Sequence, residues 1–524
     1  VRTLTLTPHD PICIDGNAGF TGPNATTGVT RGSGTDSDPY VIEGWEISSF
    51  PSNGINITNV DVHFVIQNCS VHDGAGTRSA GIQLVFCSNG TVTNCCCSNN
   101  WYGIHLWGSG HHLLISSSNS LIGNNCSSNS YCGIYLYASR NNSLYNNTCW
   151  KNQVGVSLYD SGHNTLIGNV CSLNAAGGMM ISQSPNITLK ENILNDDGIS
   201  IDGIELSHWN THVIEVSNKV NGNAVFYYSN QSGTIVPEEA GQIILANCSD
   251  FVIEDQDLSH TTVGIILGYS SNTLIVNNTC SNDSYGIRLY ASSDNTLIDN
   301  NCSGNMYGIS VGGRYVGILD GNTLTGNNCS NAQYDGIYVY HSSGNAMIDN
   351  RCSNDMRGIH LYLSYWNILV GNNCSSNSEY GALLYSSNSN TIFNNTFSHN
   401  SQHGVYLHSS YIDNCRIWNN TFDHNNGAGD TYDPDHIQAY DEGDNSWNSA
   451  EGCGNWWSDW TTPDADSNGI VDQPYNISGS ASAKDYYPQT TVQTPIPEFG
   501  MMPLVVIVLL AAVFITEEVR RRKA

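Results

Sequence analysis

GIRLYASSDNTLIDNNCSGNMY, Gly286 to Tyr307, is the stretch whose reading decides the fold. Inside GIRLY the apolar residues alternate, so Ile287 and Leu289 face one side and Arg288 and Tyr290 the other. A second short apolar run, Leu297-Ile298, follows a Ser/Asn-rich bend, and Cys302 follows a further pair of asparagines. Asn and Gly tolerate left-handed turn conformations, which suits tight bends at fixed places. Similar units open on glycines at 81, 103, 133, 155, 264, 286, 308, 336, 358, 381 and 404, mostly 22 or 23 residues apart. A period of this length marks a unit that buries its apolar face only by stacking on copies of itself. Three short strands and three bends per unit make one coil of an all-β, right-handed parallel β-helix. Coils stack about 4.8 Å apart, and about thirteen are expected. A leucine-rich repeat has a similar period but needs an LxxLxLxxN consensus and a helix, and neither is present.

Stacking turns each repeat position into a column. Asn300, Asn350 and Asn372 precede a cysteine and are expected to bond one another and the turn backbone. Cysteines recur at 126, 149, 171, 280, 302, 329, 352 and 374, among eighteen in all. Equivalent Cβ atoms one coil apart lie about 4.8 Å from each other, against about 3.8 Å in a disulfide. The column therefore reads as small, buried, reduced core residues. The alternative, a metal ladder, has one ligand per coil and no tetrahedral set.

The chain has 524 residues, a net charge of −29 and only 17 Lys and Arg. That balance excludes nucleic-acid binding, which needs basic patches against phosphate. At 12% charged residues the chain is not an acidic disordered protein either. FGMMPLVVIVLLAAVFI, Phe499 to Ile515, is uncharged and would span about 25 Å as a helix. Arg520, Arg521, Arg522 and Lys523 follow and predict a cytoplasmic tail, which leaves the rest outside the cell. The alternative is a buried core helix. VRTLTLTPHD at the start has no long apolar run, so an exported chain of this sequence is expected to be mature or truncated there. Sequons at Asn125, Asn146, Asn277, Asn301, Asn328, Asn373 and Asn419 fit an external location, though the repeat itself generates them.

The expected organisation is a cap with opening strands over 1–60 and coils over 61–195. An irregular insertion follows over 196–262, then coils over 263–425 and a capping module over 426–490. A linker at 491–498 leads to a transmembrane helix at 499–516 and a basic tail at 517–524. Caps are needed because an open strand edge recruits other chains.

This repeat resembles the parallel β-helices of the NosD-like and carbohydrate-binding/sugar-hydrolase families. GSGTDSDPYVIEGWEI (Gly32 to Ile47) is similar to the start of the first coils in archaeal members. GNWWSDWTTPDADSNGIVDQPYNI (Gly454 to Ile477) is similar to their C-terminal module. IPEFG (Ile496 to Gly500), before the apolar run, is similar to the PEF-type sorting signal of archaeal surface proteins. The resemblance implies a cell-surface β-helix whose anchor is either retained or removed by a sortase. The copper of the NosD name finds no counterpart in the spacing of the seventeen histidines: pairs such as His111-His112 lack a partner at ligand spacing.

Three constellations are candidates for function. The second outward column reads Trp107, Tyr137, Tyr159, Tyr290, Gly312, Tyr340, Tyr362, Tyr385 and His408. A partly exposed, continuous row of rings would stack on the apolar faces of sugars in a polysaccharide or envelope glycan. Mutual stacking that only stabilises the sheet is the alternative. Asn195-Asp196-Asp197-Gly198 with Asp202 has a faint similarity to a polygalacturonase motif, but the companion motifs are absent and a polar turn explains it as well. A hydrolase or lyase acting on the aromatic face is the catalytic alternative, with no catalytic residue identified. Finally, Asp464, Asp466, Asn468 and Asp472 place oxygens at positions 1, 3, 5 and 9 of an EF-type loop. Gly469 takes position 6, and the Ile470 carbonyl serves position 7. Tyr475 stands where a bidentate Glu is expected. The loop reads as a Ca2+ site or as an Asx-rich turn.

Overall fold

The computed structural model describes residues 6–21, 23, 26–74, 78–108, 118–315 and 320–492. The chain is an all-β right-handed parallel solenoid of about 16 turns. It divides into two compact units, one built mainly from residues up to Asn230 and the other mainly from Gly264 onward.

In the first unit, eight parallel strands form the sheet that carries the repeat glycines, from Ile12–Asp15 through Tyr102–Trp107, Cys132–Tyr137 and Val154–Tyr159 to Ile199–Asp202. A second sheet runs from Tyr40–Glu43 to Val213–Ile214. Val29–Arg31 pairs antiparallel with Tyr40–Glu43 and covers that edge. In the second unit the long strands run from Tyr285–Tyr290 to Ala439–Asp441, and an eight-stranded sheet runs from Val252–Glu254 to Arg416–Trp418. The third face there narrows to single bridges, Thr279 to Asn301 to Asn328 to Arg351 to Asn373.

Register is in line within each unit: Ile104 faces Ile134, and Ile287, Ile309, Ile337 and Ile359 follow one another. All are fully buried, as the repeat predicts. The repeat glycine has a steric cause. A Cβ on Gly286 would lie 2.7 Å from the carbonyl oxygen of Gly308 and 2.5 Å from Asn305 Nδ2. The bends use Asn, Asp or Gly in the left-handed region, as at Asn277, Asp299, Gly326, Asp349 and Gly371.

Asparagine ladders tie these bends together. The backbone N–H and Nδ2 of Asn300 both donate to Asn327 Oδ1, at 3.0 and 2.9 Å, and Nδ2 also donates to the Ile275 carbonyl at 2.9 Å. The same rung recurs at Asn327, Asn350, Asn372, Asn395 and Asn420. The first unit repeats it from Asn124 through Asn147, Asn169 and Asn192 to Asn218. Every rung donates toward the next coil, so the last member needs only to accept. Carboxylates fill that place in two ladders: Asp197 ends the one through Asn129, Asn152 and Asn174, and Asp485 accepts from Asn455 and from Trp457 Nε1, whereas Asn218 ends its own by donating to the Leu189 and Glu215 carbonyls.

All eighteen cysteines are unpaired thiols, and those of the column are fully buried. Burial raises Cys280 well above the usual thiol value and keeps it protonated.

One segment differs from the sequence reading. The stretch 196–262 is not hung outside the coils. Ile199–Asp202, Val213–Ile214 and Lys219–Val220 each continue a sheet of the preceding coil. A helical turn, Ser207–Asn210, displaces the repeat signature and buries Trp209. Asn221-Gly222 then turns the chain into an antiparallel hairpin, with both residues at positive φ. About 16 turns form instead of thirteen because coils that open on none of the eleven repeat glycines stand here and elsewhere, as at Ile12–Asp15, Ile55–Thr58 and Ala439–Asp441. The module over 426–490 adds strands at Ala439–Asp441 and Trp456–Trp457 and buries Trp447, Trp457 and Tyr475 at the end of its unit. Phe422, Trp457 and Tyr475 stack at 4.2 and 4.0 Å. The span at 499–516 and the tail at 517–524 lie outside the described residues; among the described residues no helix is long and apolar enough to cross a membrane.

Burial raises the Asp197 carboxyl from 3.8 to about 7, against the pull of its hydrogen bonds from Asn174. A raised folded pKa favours the neutral form, so the cost of keeping Asp197 ionised grows as pH climbs from about 4 through about 7. Asp197→Asn keeps an accepting oxygen and removes that cost. We expect it to melt above the parent at pH 8, by up to about 4 kcal/mol of stability, and level with it near pH 4. Urea melts at the two pH values check this.

Candidate functional site

The outward face of the long strands is built by the same in-line register. Trp107 faces Tyr137, and Tyr137 faces Tyr159. Their ring centroids are 6.4 and 5.6 Å apart, and the Tyr137 and Tyr159 planes differ by only 4°. Despite that contact the three side chains remain 44%, 39% and 37% exposed.

The column in the second unit is interrupted. Tyr290 is buried at 8% exposure, with Tyr269 edge-on at 6.0 Å. Gly312 follows it, and a Cβ there would lie 2.2 Å from Tyr340 Cζ, so the Tyr340 ring occupies the space the glycine leaves. Tyr340 and Tyr362 are half-buried, and Tyr385 is exposed. Tyr362 and Tyr385 stack at 5.2 Å, and His408 continues the row 5.0 Å beyond. Of the expected stripe from Tyr290 to Tyr385, Tyr290 is buried, while Tyr340, Tyr362 and Tyr385 keep part of their surface open and His408 continues the row.

Sequence reasoning missed a further column, at the residue preceding each glycine. Tyr285 and Tyr307 stack there at 5.0 Å, and Tyr307 lies 5.8 Å from Tyr338 in the first outward column. Two coils on, the position holds Asp335 and Arg357, which are direct neighbours across the strands. Asp335 is almost fully buried. Its Oδ1 accepts from Arg357 Nε at 2.5 Å, and Oδ2 lies 3.3 Å from both Arg357 Nη2 and His360 Nδ1. The Tyr338 ring packs 5.0 Å from His360. The signal was an acid and a base at the same repeat position 22 residues apart, Asp335 and Arg357. In the first unit the matching cluster is Tyr102, His105 and Tyr135, where burial lowers the His105 imidazole to about 4.

The two aspartates of the Asp196-Asp197 motif lie on opposite sides of the coil wall. Asp197 is inside, closing an asparagine ladder, while Asp196 stands outside at φ 50°.

At the C-terminal loop, carboxylate oxygens of Asp464, Asp466 and Asp472 lie within 4.8 Å of one another. Asp464 accepts from the backbone N–H of Asn468 and Gly469, Asp466 from Asn468, and Asp472 from Ala465. Asn468 Oδ1 accepts from the N–H of Ile470. Tyr475, at the twelfth position, is core: its hydroxyl lies 3.3 Å from Asp459 Oδ2. The twelfth position of the loop therefore supplies no ligand.

The family described as "Periplasmic copper-binding protein (NosD)" matches residues 14–233, 201–331 and 313–462. The chain belongs to the NosD family. No curated protein matches it. Among solved structures, this NosD chain is similar to the Azotobacter vinelandii mannuronan C-5 epimerase AlgE6 A-module, at 12% identity over 75% of this chain and 90% of that one, with a TM-score of 0.35. It is also similar to the periplasmic alginate epimerase AlgG, at 12% identity over 71% and 82% with a TM-score of 0.28. A third match is bacteriophage CBA120 tailspike protein 3, at 10% over 84% and 64% with a TM-score of 0.27. None of these carries an activity over to this chain.

The family description names copper, so the donors are tested against it. Among the described residues two groups of three ligand side chains converge: the three aspartates above, and His399, Asp423 and His424. The aspartates are hard oxygen donors. The second group offers two imidazoles and a carboxylate, a set that suits copper or zinc, so the residues fit. His111 and His112 lie outside the described residues. Histidine spacing concealed this pair because 399 and 424 are separated by one coil, and only stacking makes them neighbours.

Breaking the Asp335 cluster strands a guanidinium. Asp335→Ala is expected to cost about 3 kcal/mol in urea unfolding and Asp335→Asn less, since the amide keeps one acceptor.

Proposed function

We propose that this protein is an extracellular β-helix that binds polysaccharide through the outward aromatic column. One observation carries the reading: Trp107, Tyr137 and Tyr159 stay more than a third exposed although Trp107 meets Tyr137 edge-on and Tyr137 stacks on Tyr159. A column that served the sheet alone gains nothing from that open surface, whereas planar rings at intervals of one coil suit the apolar faces of successive sugars. The pairing of Tyr362 with Tyr385 offers a shorter platform of the same kind in the second unit. A location outside the cytoplasm fits the periplasmic description its family carries. It also fits the apolar run at 499–515 with basic residues behind it.

A catalytic reading has one observation in its favour, the Asp335-held His360 beside Tyr338. Glycoside hydrolysis needs two carboxyl groups about 5 to 10 Å apart. Asp335 is one carboxylate, and both its oxygens are engaged by Arg357 and His360. Binding is therefore the favoured function, and a lyase the form that catalysis would take.

We further propose that the loop from Asp464 to Asp472 holds Ca2+. Three carboxylates within 4.8 Å repel one another unless a cation intervenes, and the loop's backbone bonds already hold their oxygens together. Binding there would be linked to folding of the module.

Two experiments test these readings. Tyr137→Ala with Tyr159→Ala should abolish retention on immobilised polysaccharide while costing at most about 1 kcal/mol per ring in stability. Retention that survives the double substitution returns the ladder to a purely structural role. Chelator should lower the melting temperature, and Asp464→Asn should remove that response. A melt indifferent to both chelator and Ca2+ leaves the loop an Asx turn.

A further inference from the structure

We infer that His399, Asp423 and His424 form a binding site for one first-row divalent transition-metal ion, with Asp430 orienting His424 from outside the ligand shell. The argument starts from two matching sequences one coil apart, Thr396-Phe397-Ser398-His399-Asn400 and Thr421-Phe422-Asp423-His424-Asn425. Strand pairing sets Thr396 against Thr421, Phe397 against Phe422 and Ser398 against Asp423. The phenylalanines are buried and the asparagines continue a ladder, with Asn400 Nδ2 donating to Asn425 Oδ1 at 2.7 Å. Each histidine is held between a core residue two places back and a ladder residue one place on. Both have left-handed backbones, at φ 53°. The backbone of the pair is thus as constrained as the core.

That constraint sets the two imidazoles 5.4 Å apart and nearly parallel, at 14°. Asp423 lies between them: its Oδ1 is 2.5 Å from His424 Nδ1 and its Oδ2 is 4.0 Å from His399 Nδ1. On the far side of the His424 ring, Asp430 Oδ1 lies 3.1 Å from Nε2. A carboxylate on the nitrogen opposite the ligating one fixes ring and tautomer, as outer-shell partners of metal-bound histidines do. His424 donates Nε2–H to Asp430, and the metal ion takes the place of the proton that Nδ1 shares with Asp423 Oδ1.

Two imidazoles and one carboxylate are a donor set of intermediate softness. They favour Cu(II), then Zn(II), over Ca2+ or Mg2+. The separation from the oxygen-only loop at Asp464 is therefore chemical as well as positional. His399 and His424 keep solvent access, so an ion would retain open positions for water.

The test uses the purified full chain, titrated with Cu(II) and separately with Zn(II) in a non-chelating buffer with Ca2+ present. One equivalent should bind. The Cu(II) form should show nitrogen couplings from two imidazoles by electron paramagnetic resonance. His399→Gln and His424→Gln should each weaken binding well beyond the roughly tenfold expected for Asp430→Asn, and His341→Gln should leave it unchanged. These positions are on the surface, so far-ultraviolet circular dichroism and the melting temperature should not move, which separates loss of ligand from loss of fold. Saturation that His399→Gln and His424→Gln leave intact, spectra without two nitrogens, or no 1:1 complex overturns the site.

Discussion

One constraint governs this molecule: each coil must place its bends directly over those of the coil before. The asparagine rung enforces it. An Asn side chain at a bend gives its amide to the coil behind and to the coil ahead, and takes two hydrogen bonds on its carbonyl oxygen. A bend displaced along the chain by one residue would bury a whole amide without partners, at a cost of several kcal/mol. The rungs are polar, yet they specify register more sharply than the apolar columns beside them. A Leu stacked on an Ile tolerates a small shift; a directed amide ladder does not. The direction also explains why carboxylates end it. As ionised carboxylates Asp197 and Asp485 only accept, so each closes its ladder without an orphan donor.

Exact stacking has a chemical consequence. Any residue type placed at one repeat position becomes a row, and any two residues one coil apart become neighbours. Tyrosines at the second outward position become a ladder, an acid and a base before the glycine become the Asp335-Arg357 pair, and histidines in two successive turns become a ligand pair. The scaffold needs no loop to assemble a site. What it needs is exceptions: Gly312 cuts the aromatic row and leaves space that the Tyr340 ring fills, and the Ser207–Asn210 turn resets the coil.

Much of this was legible in the sequence because the period is strict. The buried isoleucines, the unpaired cysteine column and the asparagine rungs follow from the 22-residue step and the strand spacing alone. The coils between 196 and 262 were not legible, since Trp209 and the Asn221-Gly222 hairpin replace the glycine-aliphatic signature while the strand partners persist. The aromatic column was legible as a row but not as a surface. Exposure depends on which ring fills the gap over Gly312, and no pattern within one repeat encodes that.

The sequence by itself determined the β-helix, the residues that face inward and the family to which the repeat belongs. Alternation and spacing are properties of one strand and one coil, and they survive without knowledge of neighbours. Only the tertiary structure decided which outward groups meet: that Asp197 closes a ladder instead of facing a substrate, that Tyr475 is core instead of a ligand, and that His399 and His424 share Asp423. Those outcomes rest on side-chain distances between coils, and a few ångströms of stacking geometry separate a surface residue from a partner.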